Sequence, residues 1–452
     1  RGRVLIHLMK NGLFALLFVV SVSLSITAQT YNNYQKEYTL TSQTDGQVES
    51  DRTHRMVLCD YQPSGLYVKR GETLGITVTG LKAGYQVSSM IGFKPMWGDH
   101  NNTQEDPLNN GVNTVKATQD GILSFIFVKT EGYDTAPSTI NVKVDGGKAF
   151  PLFQLGRSNP ANWQNDLRTM TDAQFVQLVS DKALITIPYK DYLKTPITDI
   201  QRMFANIHRV IDWEDEVAGF DNSSPENMRS RNLLHYTVDI FATAKERDGW
   251  YMYASNYLIG MKRDNFTDLT EKLDTEWGIW HETGHTHQQN SWTFEAIGEV
   301  SVNIFSLYVQ EKFGQPMRLA SSESGEGEST LESARKYIAG PKKNYLDQGD
   351  DDSGYDMFFV KLVMFHQLRK AYGWDVYKKL HQYFRKSPYS EVVGETDQDK
   401  ANKLVYAMCF VTKNNLMPFF KKWGLAVDGP TVSRINALKL RPPAKDPASI
   451  FD

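Results

Sequence analysis

The sequence predicts a multidomain α+β chain, an N-terminal all-β sandwich followed by a mainly helical half with a small edge sheet. Three observations predict it. The chain's 452 residues exceed what one hydrophobic core organises and point to about two or three domains of ~150 residues each. Hydrophobic residues make up 40% and charged residues 23%, the balance of a folded globular protein and not of a disordered or multi-span membrane one. The texture also changes once, from short β-type runs to apolar residues repeating at three and four, near Leu167.

In chain order, residues 1–28 read as an export signal. Arg1, Arg3 and Lys10 precede an apolar run over 13–26, which Thr27 and Ala28 close; a basic start, a short apolar stretch and a small-residue exit are the marks of a cleaved secretory segment. The run is shorter than the ~20 residues that span a bilayer. The expectation is an exported chain, secreted, periplasmic or at the cell surface, with cleavage near Ala28 and no transmembrane span afterwards. Met9 is a plausible start of translation.

Residues 31–150 hold β-type runs at 66–68, 74–78, 122–128 and 139–144, punctuated by Gly65, Gly71, Gly80, Gly84, Gly121 and Pro137, at the spacing of a β-sandwich. Gly146, Gly147, Pro151, Gly156 and Pro160 mark a connection. Over 157–430, helical periods occur at 200–211, 277–289, 295–313, 356–372, 376–384 and 400–423. Residues 431–452 read as a C-terminal tail. Two polar stretches, 321–329 and 347–354, read as surface loops, and Asp350, Asp351 and Asp352 miss the EF-hand spacing.

Charge and cysteine content exclude some functions. Fifty basic against fifty-three acidic residues give a net charge of -3, which argues against a dedicated nucleic-acid binder. Cys59 and Cys409 are the only cysteines, so a disulfide-built scaffold and a cysteine-rich zinc module are both ruled out.

The chemistry lies in His281-Glu282-Thr283-Gly284-His285. On a helix, residues four apart share a face, so His281 and His285 can present two imidazoles to one zinc ion while Glu282 leans toward the metal's water. Zinc lowers the pKa of such a water from 15.7 to about 7, and Glu282 can take its proton during attack on a carbonyl. A catalytic zinc needs a third protein ligand. Glu295 and Glu299, four apart on the next predicted helix, both qualify by spacing. The metzincin pattern fails, because it needs Gly and His where this chain has Gln288 and Ser291. His287 points off the shared face and is expected behind the ligands or exposed.

The run HETGHTHQ at 281–288, then Trp292 and GEVSVNIFSLYVQE at 298–311, resembles the enhancin-like zinc metallopeptidases of the gluzincin group, whose bacterial members are mucin-degrading O-glycopeptidases. SGLYVKRGETLGITV at 64–78 is similar to the family's sandwich signature, and GGKAFPLFQLG at 146–156 to its linker. YMYASNYLIG at 251–260 resembles a family segment, but Asn256 and Leu258 stand where that family usually has Gly and Pro. The resemblance implies a gluzincin-like catalytic domain with one Zn²⁺ per chain, held by His281, His285 and Glu299, with Glu282 as general base. It favours Glu299 over Glu295.

Other residues follow from the same reading. Gluzincins pair an edge strand with the extended substrate, and 250–255 is the candidate here. Tyr257, Tyr355 and His366 are candidate oxyanion or substrate contacts, and Asn303, one turn after Glu299, is a candidate to orient that carboxylate. The implied activity is hydrolysis of peptide bonds next to O-glycosylated Ser or Thr in mucin-type glycoproteins, by a monomer. Two other readings fit the same residues: a non-catalytic glycan-binding surface protein on this fold, and a general zinc peptidase with no glycan requirement.

Overall fold

A computed structural model describes residues 29–96, 102–241, 251–341, 343–347, 354–386 and 395–452, with the side chains of 354–356 left out. The expected signal at 1–28, Trp97, Trp250, the aspartates at 350–352 and the Tyr355 side chain lie outside the described residues.

The N-terminal part consists of two sheets. One has the strand order Thr30–Asn32, Glu37–Thr41, Thr139–Asp145, Thr73–Thr79, Gly111–Lys116, antiparallel throughout. The other runs Lys148–Ala149, Tyr61–Val68, Gly121–Lys129, Tyr85–Phe93, Asn102–Leu108, with Gln43–Thr44 parallel to Gly121–Lys129. Strict alternation along Thr139–Asp145 turns Ile140, Val142 and Val144 inward. They join one apolar cluster with Leu40 and Ile76 of their own sheet and Leu66, Leu123 and Phe125 of the other. Tyr38 and Phe125 meet across it with ring centroids 5.2 Å apart.

This part is not all-β as expected. Gly46–Thr53 is a helix. Its sequence offers no amphipathic period, and it is set instead by its end: the Asp45 carboxylate accepts from the Gln47 and Val48 amides, satisfying two of the helix's free donors.

The sheet in the second half is also larger than the small edge sheet expected. Six strands run in the order Leu152–Gln154, Phe175–Val179, Ala183–Pro188, Leu234–Val238, Leu258–Met261, Met252–Ser255, mixing parallel and antiparallel pairs. Phe175–Val179 and Leu234–Val238 are buried at every position. Such strands show no alternation, which is why periodicity misses them. Met252–Ser255 closes the sheet at one side within the run expected to be an edge strand.

Six helices matter to the site: α1 (Ile200–Val217), α2 (Trp277–His285), α3 (Gly298–Lys312), α4 (Gly354–Tyr372), α5 (Asp375–Arg385) and α6 (Asp397–Thr412). The predicted helix over 277–289 ends at His285, and the one over 400–423 breaks after Thr412, where Lys413 takes φ 58°, before resuming at Met417–Lys422. α3 buries residues 300–307 without interruption, so it is a central helix and not a surface one. Residues 431–452 are packed, not loose: Ile435 and Ala448 belong to the same core as α3 and α4, and the Gln367 amide donates to the Ile450 carbonyl at 2.9 Å. Among the described residues, no helix is long and apolar enough to cross a membrane.

Trp280, 1% exposed, ties α2 to the sheet side of the core. Its ring stacks on Phe313 at 5.7 Å and its Nε1–H donates to the Leu273 carbonyl at 2.7 Å. Trp280→Ala is expected to cost about 3–5 kcal/mol, seen as a lower urea midpoint; an unchanged midpoint would contradict this packing.

Candidate metal centre

α2 and α3 cross at Gly284. A Cβ there would lie 3.0 Å from the Val302 carbonyl oxygen and 3.3 Å from the Phe305 Cβ, so glycine lets the two helices approach to this distance. The approach brings Glu299, in the first turn of α3, over the histidine face of α2. Glu299 Oε2 lies 2.9 Å from His281 Nε2 and 3.5 Å from His285 Nε2, and the two Nε2 atoms are 3.1 Å apart. The three ligand atoms all lie within 4.8 Å of one another. Zinc bonds of about 2.0–2.2 Å in a tetrahedral shell place neighbouring donors roughly 3.4 Å apart, so the three side chains fit such an ion.

Each imidazole is oriented from behind. His281 Nδ1–H donates to Asn303 Oδ1 at 2.8 Å, and the Asn303 amide in turn donates to the Glu299 carbonyl at 3.1 Å. Asn303 therefore contacts the His281 ring and the backbone of Glu299, where the sequence suggested a contact with its carboxylate. His285 Nδ1–H donates to Gln288 Oε1 at 2.7 Å, and the Gln288 amide reaches the Gly298 carbonyl at 2.8 Å and Ser301 Oγ at 2.9 Å. With each Nδ1 committed in this way, both Nε2 atoms face the cluster and are the positions that a metal would take. Gln288 went unassigned in the sequence, although an amide three residues after the second histidine is its signal.

Glu282 is 8% exposed and sits with an oxygen 4.0 Å from His285 Nε2. Burial raises its carboxyl above the ordinary range, while the two histidines and the Ala254 backbone amide pull it back down. For His285, burial disfavours the cation, but the Glu299 hydrogen bond and the Glu282 charge outweigh it and push the imidazole up to about 9. Burial likewise opposes the charge on Glu299, yet hydrogen bonds from His281 and His285 hold it well below the usual carboxylate range.

The centre opens on a groove of about 870 Å³. Tyr251–Tyr257 form one wall, Trp277, Phe358 and Phe359 another, and Met56 and Met96 come from the N-terminal part. Tyr257 lies in this groove with φ 76°, and its amide donates to the Val57 carbonyl at 2.8 Å. Asn256, one of the departures from the family pattern, accepts from the Val57 amide at 3.1 Å. The hairpin is therefore tied to the N-terminal part.

Three residues weighed in the sequence fall outside the cluster. His366 does not line the groove; it is buried on α4, bonded to the Asp452 carbonyl at 2.9 Å, and burial lowers it to about 4. Glu295 is exposed in a short 3-10 turn before α3, with its amide on Asp397 Oδ1 at 3.1 Å, outside the cluster. His287 is neither exposed nor near the ligand atoms. It is 1% exposed behind α2, with Nε2 2.9 Å from Asp215 and Nδ1 3.1 Å from Glu214.

The sequence profile of the peptidase M60, enhancin and enhancin-like family matches residues 146–424; the chain belongs to that family. Its fold matches a mutant of a functionally unknown conserved protein from Bacillus anthracis with TM-score 0.77 and 28% identity, covering 92% of this chain and 81% of that one. It also matches a metallopeptidase solved in complex with Tn antigen, with TM-score 0.75, 18% identity, and coverage of 93% and 80%. Among curated proteins, the TRPM8 channel-associated factor homolog of Xenopus laevis is 24% identical over 69% of this chain and 32% of its own length. The chain thus spans about a third of the length of such relatives.

The geometry separates the two glutamates. Glu299→Gln is expected to lose stoichiometric zinc and Glu295→Gln to keep it, measured by metal analysis after dialysis; the reverse pattern would contradict the cluster. The raised His285 gives a pH sign. Below about 9 the metal-free imidazole holds a proton that a bound metal must displace, so zinc affinity is expected to climb, by up to about tenfold per pH unit, from pH 6 to 9. Competition titrations that find a flat profile would contradict this.

Proposed function

We propose that this chain is a zinc metallopeptidase that hydrolyses peptide bonds, specifically those next to O-glycosylated Ser or Thr in mucin-type glycoproteins, and that it acts after export. The observation that carries the reading is the convergence of His281, His285 and Glu299 beside a buried Glu282 on the floor of an aromatic groove. We assign His281, His285 and Glu299 as the zinc ligands and Glu282 as the general base. Bound zinc would supply Lewis acidity for the scissile carbonyl and for the attacking water.

The chain's own residues do the rest. Glu282 takes the proton of the attacking water on its carboxylate and passes it to the leaving amine. Its burial suits this, because a carboxyl raised above its ordinary value holds the proton between the two steps. The Ala254 amide fixes the carboxylate and so couples it to the strand Met252–Ser255. Among the described residues that strand pairs with Leu258–Met261 alone, and we read its other edge as the one that takes an extended substrate backbone. Tyr257, kept protonated by burial, is a phenolic donor in the groove for substrate oxygen.

The glycan preference rests on the groove and on kinship. Tyr251, Trp277 and Phe358 offer flat faces for sugar rings, and one fold relative was solved with Tn antigen. We read the two N-terminal sheets as a β-sandwich that buttresses the groove through Met56 and Met96, followed by a catalytic domain over 157–430.

An intact mucin glycopeptide and its deglycosylated twin, each incubated with and without a zinc chelator, test the proposal. Cleavage of the glycosylated form alone is expected, abolished by chelation and lowered at least 10²-fold by Glu282→Gln. Equal cleavage of both forms would reduce the reading to a general peptidase. No cleavage by zinc-loaded protein, with glycan binding retained, would overturn the enzymatic assignment.

A further inference from the structure

Behind α2, on the side away from the groove, lies a second cavity of about 440 Å³ that shares no lining residue with the first. It sits where the N-terminal part, at Thr41–Gln43 and Arg55, meets the segment 229–234 and His287. Its size exceeds many times the ~30 Å³ share of one water molecule.

Among the described residues, the cations that line this cavity are paired, with one exception. Lys182 bonds Asp212, Arg229 lies 2.9 Å from Asp212, Arg231 2.8 Å from Asp134, and His287 2.9 Å from Asp215. Arg55 is 3% exposed, and among the described residues no carboxylate forms an ion pair with it. The acids it feels at a distance are Asp215 and Glu49, and both are committed elsewhere, Asp215 to His287 and Glu49 to Arg52.

The form of the gap is specific. Arg55 Nε and Nη2 are buried and have no partner, while the guanidinium's flat face rests over Phe220 at 4.6 Å. Nε–H and Nη2–H project in parallel from one edge of the group, the fork that receives two oxygens of a carboxylate or phosphate. Leaving that edge unfilled in the interior costs free energy. Two acceptors of the same cavity, Gln43 Oε1 and Asn232 Oδ1, also lack donors. Their amide orientation is set by bonds from the other end, Gln43 Nε2 to the Arg231 carbonyl at 3.4 Å and Asn232 Nδ2 to the Thr44 carbonyl at 2.8 Å. An occupant that satisfies both sets carries an anionic oxygen pair and a hydroxyl.

We propose that this cavity is a binding site for a small hydroxylated oxyanion, a hydroxycarboxylate or hydrogen phosphate, held side-on by Arg55 at the junction of the N-terminal and catalytic parts. Its walls come from both parts, so the bound anion ties them together and stabilises the folded chain by mass action.

Thermal unfolding of the zinc-loaded protein tests this, with inorganic phosphate and glycerate titrated separately against chloride at constant ionic strength. The expected result is a saturable rise in Tm with at least one of them, weakened at least tenfold in apparent affinity by Arg55→Lys, which keeps the charge but loses the fork, and abolished by Arg55→Met. Which anion acts tells phosphate from carboxylate. No saturable rise, or the same rise in Arg55→Met, would overturn the proposal. Should the variants not fold, wild-type crystals soaked in selenate decide it: an anomalous peak within hydrogen-bond reach of both Arg55 Nε and Nη2 supports the site, and a cavity holding only water refutes it. None of these readouts depends on peptidase activity.

Discussion

The close approach of α2 and α3 at Gly284 is the constraint on which the centre depends. Two histidines four apart on a helix define a pair of donors but not a site. The third donor comes from another helix, and it comes close enough only because no Cβ stands between that turn and the Val302 carbonyl. Once the helices touch there, Glu299 falls within 3.5 Å of both imidazoles, and Asn303, one turn on, reaches the back of His281. Burial along α3 from both sides fixes its rotation, and with it the side of the helix from which Glu299 projects.

Orientation is supplied by neutral amides and not by charges. Asn303 and Gln288 hold the Nδ1 atoms of the two histidines, which fixes tautomer and ring plane without adding a carboxylate that would compete for the metal. The buried acids Glu214 and Asp215 are instead taken up by His287 on the far side of α2. There burial disfavours the imidazolium, but the two carboxylates push it up to about 9, so a charged group anchors the end of α2 from behind. His285 and His287, two residues apart, therefore serve opposite sides of the same helix end.

Much of the centre was legible in the sequence because helical spacing alone places His281, Glu282 and His285 together. Spacing could not choose between Glu295 and Glu299, because it assumes the helix already runs through both. In the structure the helix starts at Gly298 and Glu295 lies in the preceding turn. His366 was misplaced, and the burial of His287 missed, for a related reason: a single sequence shows which residues share a helix face but not which face another element covers. The fold was legible where one side of an element is wet, as along Thr139–Asp145. It was not legible for the six-stranded sheet, whose central strands are covered on both sides and carry no alternation, nor for the helix Gly46–Thr53, which is set by capping.

The central claim is that His281, His285 and Glu299 hold one metal ion beside Glu282. A zinc-edge anomalous difference map from crystals of the zinc-loaded protein tests it most directly. The account predicts a single strong peak about 2.0–2.2 Å from His281 Nε2, His285 Nε2 and a Glu299 carboxylate oxygen. A peak liganded by Glu295, or none among the three side chains, would contradict it.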